Sequence, residues 1–403
     1  MTSETAPAAI APHEMDLHTR RERFVHLSAA ITFLIFFQTY MIAPLIPSMA
    51  IKLHTTVERV GFLVPAYTLP YAAAGLICGA LADRIGRRIV FFASMIAFPF
   101  LSLLMSAAPN IESLIALRAL SGLCNAGLVI MALVVIGDRY PISERGRAIG
   151  WIFGAIAGGG AFGSTVAGLL APLIAWRGLF ILTAAFSILL LIPMLPLWKW
   201  LYTPPSPSQT SLSHLITGYF HVLKNPRAAR TYLFIYLNGI FHSGVFTWIG
   251  VLLHNRYNLG PMGIGLVLLG YGVPGFLLGP YIGRIVDHHG RRRLIPIGLA
   301  IGALGGFLFV PNLPLLIPIL AAPILSLGFD MSHPLLAGIS STLDDNRRGQ
   351  AMGFNAFAIF FGFGTGALLF ALLSPFGIPF LFLIFSTIQI ITALTSIPTF
   401  KTE

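Results

Sequence analysis

Charge is what this chain has least of. Asp, Glu, Lys and Arg make up 10% of its 403 residues, where a soluble domain carries about 25%. So few charges cannot cover a water-exposed surface, which excludes an ordinary soluble fold. Cysteine is nearly absent. Cys78 and Cys124 both lie inside apolar runs without ligand spacing. That excludes a disulfide framework or a zinc centre and leaves two small core residues. Catalytic signatures are missing too. There is no Gly-x-Ser-x-Gly elbow, no His-Glu-x-x-His pair and no nucleotide-binding loop. The absences argue against an enzyme and against a pump driven by nucleotide hydrolysis. No cofactor and no metal is expected.

What is there instead is apolar. Hydrophobic residues make up 56% of the chain, and the mean hydropathy is +0.84. Runs long enough to cross a bilayer lie near 24–50, 57–82, 88–107, 111–138, 146–173 and 177–201. A second set lies near 227–255, 259–286, 292–311, 313–343, 347–374 and 376–400. The expected fold is an all-α integral membrane protein, with twelve transmembrane helices in two pseudo-symmetric six-helix bundles. A polar tail (1–23) precedes the first bundle (24–201), and residues 401–403 follow the second (227–400). The first run is too long for a signal-peptide core and reads as an uncleaved span. Between the bundles, residues 202–226 form a linker. Its Leu212, Leu215, Ile216, Tyr219 and Leu223 share one helical face, which predicts an interfacial helix.

The two bundles are copies of one another. At an offset of 204 residues, Tyr67 falls on Tyr271, Pro70 on Pro274, Gly75 on Gly279 and Gly79 on Gly283. Asp83 falls on Asp287, Gly86 on Gly290, and Arg87 and Arg88 on Arg291 and Arg292. A repeat that keeps its Gly, Pro and charged residues marks a duplicated membrane unit. The run Asp287-His288-His289 repeats the turn at 83–85 and is not a metal motif.

The net charge of +11 invites a nucleic-acid reading, but its distribution argues against one. With the N-terminus inside, 20 Lys and Arg fall on the cytoplasmic side and 4 (Lys52, Arg59, Arg177, Arg256) on the other. Arg118 alone lies within a span. This bias places both termini in the cytoplasm of a multi-pass protein of the cell membrane. The partners expected are the bilayer, a small-molecule substrate and protons, with no nucleic acid; a monomer is expected.

The run at 79–88, Gly-Ala-Leu-Ala-Asp-Arg-Ile-Gly-Arg-Arg, resembles the signature loop between spans 2 and 3 of the major facilitator superfamily. Arg118, Ser121, Gly122 and Ala126 resemble that family's span-4 arginine motif. Gly150, Gly159 and Gly163 resemble the span-5 glycine motif of its antiporters, with Ser164 where Pro is usual. Residues 40–50, with Tyr40, Pro44 and Pro47, are similar to the end of span 1 in the twelve-span drug:proton antiporter branch. The resemblance covers about 24–400 and implies secondary transport by alternating access. It also implies that Asp83 holds the halves together on the cytoplasmic side, with Arg87 and Asp138 as its relay. A carboxylate at that depth suits a helix N-terminus of the other half. In the second copy Asp287 and Arg291 recur, but Ser341 stands at the position of Asp138, with Asp344 and Asp345 nearby. The second lock is therefore expected to be weaker. Gly353, Gly362 and Gly366 repeat the span-5 glycines at an offset of 203. Small residues let helices approach closely, and both a moving contact between the halves and plain tight packing are expected there.

Polar residues that do not repeat are the candidates for chemistry. Of 14 carboxylates, 13 lie in tails, loops or span ends, and only Asp330 is deep in a span. A midplane carboxylate is expensive and marks a pathway or relay. Ser326 and His333 share its face at i−4 and i+3. Proton coupling is therefore assigned to Asp330, His333, His242 and Arg118. Gln38, Tyr40, Asn125, Asn238, His242 and Asp330 are the candidate cavity residues, because the family's cavity is lined by spans 1, 4, 7 and 10. Arg118 could alternatively be a structural arginine bonded to carbonyls. The substrate expected is a lipophilic or amphipathic organic compound, exported. Alternatives are a uniporter, a carrier of a sugar or other metabolite, a non-transporting sensor, a lipid-handling relative and an intramembrane enzyme.

Overall fold

Two glycines with positive φ stand at matching positions of the two halves. Gly86 (φ 99°) separates one helix from the next, and Gly290 (φ 74°) begins the corresponding helix of the second copy. An L side chain is strained at such angles, so glycine recurs at both positions of the repeat. The computed structural model describes residues 12–203, 212–272, 274, 290–344 and 347–403. Asp287, His288, His289 and Asp345 lie outside the described residues, as do 204–211 of the linker.

The described residues are helical almost throughout. The first half contains α1 (Pro12–Tyr40), α2 (Ile46–Lys52), α3 (Val57–Gly61), α4 (Leu63–Ile85), α5 (Arg87–Ser106), α6 (Ile111–Arg139) and α7 (Ile142–Met194). The linker helix is α8 (Leu212–Lys224). The second half contains α9 (Pro226–Tyr257), α10 (Pro261–Gly272), α11 (Arg291–Phe307), α12 (Leu316–Ser340), α13 (Arg348–Leu373) and α14 (Ile378–Thr399).

Local chemistry sets several of these boundaries. Asn110 and Ser113 form a capping box at the start of α6, satisfying N–H groups that the first turn leaves free. The Asn225 side chain accepts from the Arg227 N–H, and Pro226 opens α9 where its missing N–H costs nothing. Pro44 and Pro47 sit at the first positions of a 3-10 turn (Ala43–Leu45) and of α2, stepping span 1 sideways. In α7 one residue, Ala175 (φ 55°, ψ 174°), separates span 5 from span 6.

Nine helical stretches among the described residues are long and apolar enough to cross a bilayer. The other crossings follow from the layout. The stretch Ile142–Trp198 holds two spans, α11 has only 17 residues, and α10 is the described start of span 8. The arrangement is the expected twelve spans in two sets of six. Span 1 packs on span 5 as span 7 packs on span 11.

One face carries the start of α1, the linker helix and the end of α14; it is the tail face, and its opposite is the far face. Toward the far face a single apolar core runs through both halves, from Met41, Ile42 and Leu63 to Trp248, Ile249 and Phe370. Toward the tail face the core divides in two. One part lies inside the first half around Phe24, Phe91 and Tyr140, the other inside the second around Ile235, Leu336 and Phe400. Phe360 packs against both.

The far-face seam is made largely of backbone. A Cβ on Gly168 would lie 2.5 Å from the Pro261 carbonyl oxygen and 2.7 Å from the Gly265 Cα. A Cβ on Gly250 would lie 2.7 Å from the Ala43 carbonyl oxygen, and one on Gly61 2.8 Å from the Trp248 ring. Trp248 is fully buried and stacks on Phe370 at 5.2 Å. Toward the tail face the linker helix bridges the halves. The Tyr219 hydroxyl donates to the Leu76 carbonyl of α4 at 3.2 Å, and its ring packs on Phe354 of α13.

Candidate functional site

Between the halves, at mid-depth, is a small aromatic-walled space. Thr39, Tyr40, Val64 and Thr68 line it from the first half, and His242, Ser243, Phe246, Phe360 and Phe363 from the second. Its water-accessible volume is about 30 Å³, room for two or three waters at a floor of roughly 10–15 Å³ each. Tyr40 meets Phe246 edge-on across the seam at 5.3 Å. The sequence reading put Tyr40 and His242 on a cavity, and both line this one.

Asp330, also expected on the cavity, is not among the residues that line this space; it stands on α12, partly buried. The Ser326 hydroxyl donates to its Oδ2 at 2.8 Å. The i−4 spacing dictates that contact, because both residues stand over the same face of the helix. Its charge is within electrostatic reach of the Tyr40 and Tyr271 hydroxyls. His333, one turn on, stacks on Phe329 at 5.2 Å, and its Nδ1 is buried without a hydrogen-bond partner. His242 packs on the other flank of Phe329, 3.8 Å between ring centres. The Tyr271 hydroxyl lies 2.8 Å from the His242 ring nitrogens. Asp330, His333, His242 and Tyr271 thus form one cluster threaded by Phe329. Tyr271 escaped the sequence reading, which classed repeated residues as scaffold.

Four candidates point elsewhere. Gln38 donates to Ser102 at 2.6 Å and to Thr183 at 3.1 Å, inside the first bundle. Asn238 donates to Ser332 at 3.0 Å and accepts from Gln389 at 2.9 Å, inside the second. Asn125 donates to Ser121 and to the Tyr67 hydroxyl between α6 and α4. These three are corrected from cavity residues to internal ties. Their helices do face the cavity, but their azimuths turn them inward. Arg118 is fully buried and donates to the carbonyls of Leu63 (3.2 Å) and Gln38 (3.5 Å), with its guanidinium 4.5 Å from the Tyr67 ring centre. It takes the carbonyl-bonded alternative and is not in the Asp330 cluster.

The glycines also need correction. A Cβ on Gly159 would lie 2.5 Å from the Phe33 carbonyl oxygen, and one on Gly163 2.6 Å from that of Phe37. Both press on α1 within the first half. Gly362 and Gly366 press in the same way on Tyr236 and Ile240 of α9. These four glycines therefore weld each half internally, and other residues (Gly168, Gly265, Ala161 and Gly272) make close contacts between halves. Gly150 has open space around it and lines a cleft of about 650 Å³ between α1 and the start of α7, with His26, Phe33, Arg147 and Trp151.

On the tail face, Arg87 stands between two carboxylates. It reaches Asp83 at 3.4 Å and pairs with Asp138. Its repeat partner Arg291 packs against Gly338 of α12. An acid does come near Arg291, from an unexpected place. Glu403 takes a two-pronged bond from Arg227 (2.6 and 2.7 Å), lies 3.6 Å from Arg230 and feels the charge of Arg291. The Arg227 hydrogen bonds hold the Glu403 carboxyl below its ordinary range.

Comparison with known proteins agrees with this architecture. A family model described as Major Facilitator Superfamily matches residues 28–268 and 253–402. An uncharacterized MFS-type transporter of Bacillus subtilis, YybF, is 25% identical over 334 residues, 81% of each chain. Multidrug resistance protein 2 of the same species is 22% identical over 358 residues, 87% of this chain and 89% of that one. The solved structure of a bacterial homologue of the human lysosomal transporter Spinster, in an inward-facing conformation, superposes with a TM-score of 0.71. It is 16% identical, covering 97% of this chain and 95% of that one. The duplicated six-span halves, the signature hairpin at Gly86 and a family match running along nearly the whole chain lead to one assignment: the chain is a transporter of the Major Facilitator Superfamily.

Proposed function

We propose that this transporter exports a small lipophilic or amphipathic organic compound in exchange for protons, by alternating access. The observation that carries the reading is the Asp330 cluster. A lone carboxylate deep in a span holds a hydroxyl donor, and the neighbouring ring, Phe329, packs against two histidines, one of which lines the aromatic-walled space at the seam. A charge at mid-membrane costs about 2.5–3.5 kcal/mol on insertion scales. Converted at 1.4 kcal/mol per tenfold, that is roughly 60- to 300-fold in a population ratio. Gaining or losing one proton at Asp330 is therefore enough to bias which way the halves close.

The charge bias supports a cytoplasmic tail face. In the arrangement described, the halves share a core at the far face and have separate cores at the tail face, which corresponds to closure toward the outside. The space at the seam is too small for an organic substrate, so the halves must part to admit one. The cleft of about 650 Å³ between α1 and α7 of the first half is within the usual range for a drug-sized ligand, about 300–1,000 Å³. Asp83, Arg87 and Asp138 act as the tail-face lock when the carrier opens the other way.

The test is Asp330→Asn in proteoliposomes, screened against lipophilic dyes and drugs under an imposed pH gradient. Asn keeps the shape and removes the proton. Uphill transport should disappear while downhill exchange persists. Full gradient-driven accumulation by the folded variant would overturn the assignment and favour the uniporter reading.

A further inference from the structure

A second feature lies at the tail-face end of span 6, away from the seam. The chain there reads Trp198-Lys199-Trp200-Leu201-Tyr202. The Arg88 guanidinium lies over two of these rings, 4.8 Å from the Trp198 centre and 4.4 Å from that of Tyr202. Arg139 lies 5.6 Å from the Trp200 ring centre and donates to the Tyr202 carbonyl at 2.7 Å. The adjacent Arg87 absorbs both nearby acids, Asp83 and Asp138. Among the described residues, neither Arg88 nor Arg139 pairs with a carboxylate, and Arg88 makes no hydrogen bond. Lys199 is exposed beside them. Ring contacts hold a guanidinium by its face and leave its N–H edge free, the edge that binds phosphate two-pronged.

The surface leading away from this patch is apolar. Ile89, Ile96 and Phe100 on α5 are 43–60% exposed, and Ile192 on the neighbouring part of α7 and Leu195 just beyond its end are 51–60% exposed. Phe92 joins the two helices by packing edge-on against Trp198 at 4.9 Å. Trp and Tyr rings favour the headgroup depth of a bilayer. A basic pocket between spans at that depth suits an anionic lipid.

We propose that Arg88 and Arg139, held by Trp198, Trp200 and Tyr202, bind the phosphate of an anionic phospholipid together with the exposed Lys199, and that its acyl chains run along the exposed stripes of α5 and span 6. The apolar stripes select a lipid over a soluble phosphate. The proposal needs only that the helices cross a bilayer; it is independent of proton coupling and of transport direction.

Native mass spectrometry of the full chain, released from detergent with phosphatidylglycerol or phosphatidylcholine of identical acyl chains, tests it. The parent protein should retain phosphatidylglycerol in preference to phosphatidylcholine. Arg88→Gln should lower that preference about five-fold, the effect expected of one arginine near an anionic headgroup. Arg88→Lys should also lower it, because the ammonium lacks the planar fork. Arg59→Gln, on the far face, should leave it unchanged. Should Arg88→Gln fail to fold, Tyr202→Leu, which removes one exposed stacking ring, should give the same loss. Equal retention of the two lipids, equal losses in the Arg88 and Arg59 variants, or displacement by inorganic phosphate at the same concentration as the lipid would each overturn the proposal.

Discussion

The backbone seam at the far face gives the sharpest mechanical test. Gly168→Ala would place a methyl group 2.5 Å from the Pro261 carbonyl oxygen and 2.7 Å from the Gly265 Cα. Ordinary contact begins at 3.4 Å, so the first approach is about 0.9 Å too close, and the obstacle is main chain that cannot rotate away. The clash exists only while the halves are closed at the far face; each half folds without it. Overpacking of this kind costs about 1–3 kcal/mol. Loaded onto one of two conformers, that cost shifts their ratio by about 5- to 150-fold. Gly265→Ala, whose nearest neighbours would be at 2.9 and 3.0 Å, should act in the same direction but less strongly. Gly79→Ala, with nothing within 4 Å, is the control. Spin labels on Lys52→Cys and Asn312→Cys, in a background without Cys78 and Cys124, report the far-face opening as a distance distribution. The longer distance should gain population in the order Gly168, Gly265, Gly79. An unchanged distribution in a folded Gly168→Ala protein would refute the seam as the closing contact.

Other consequences can be checked more simply. Cysteines placed at Lys224 and Asn312 should react with an impermeant reagent from opposite sides of the membrane, Lys224 from the cytoplasm; labelling from one side would break the twelve-span layout. Asp138→Asn should slow transport without lowering the yield of folded protein, by freeing Arg87 from one of its two acids, whereas Asp287→Asn should do less. Glu403→Gln should lower the thermal midpoint. Because Arg227 depresses the Glu403 carboxyl, its contribution is fully present above the ordinary carboxylate pKa of about 4.3. It is lost only as pH falls through the lower folded value. The deficit between variant and parent, read by differential scanning fluorimetry, should be constant from about pH 8 to 5 and shrink below that range.

How far the sequence could be read depended on the kind of information each residue carries. The spans, the duplication and the hairpin glycines were legible because apolar length, a fixed offset and a backbone angle are one-dimensional. The same reasoning brought Asp330, Ser326 and His333 together, since a helix fixes which residues share a face. Depth in the membrane was legible; azimuth was not. Gln38, Asn125 and Asn238 lie on spans that face the seam, yet each turns about its helix to bond inside its own bundle, and only the neighbours' positions reveal the turn. Tyr271 shows a different limit. It repeats Tyr67, and both tyrosines bond a polar residue of a neighbouring helix, but one meets Asn125 and the other His242. A shared scaffold position can thus carry chemistry in one copy alone. Gly159 and Gly163 were right as close-packing sites and wrong about the partner, because small residues announce proximity without saying to what.

The seam at Gly168, Gly265, Gly250 and Ala43 has a corollary. A closure made of main-chain atoms holds no record of side-chain identity beyond the demand for smallness. Tyr40, Phe246 and Phe363 line the adjacent space with side chains, so under the proposed function the residues that would choose the cargo are not the ones that set the closest approach of the two backbones.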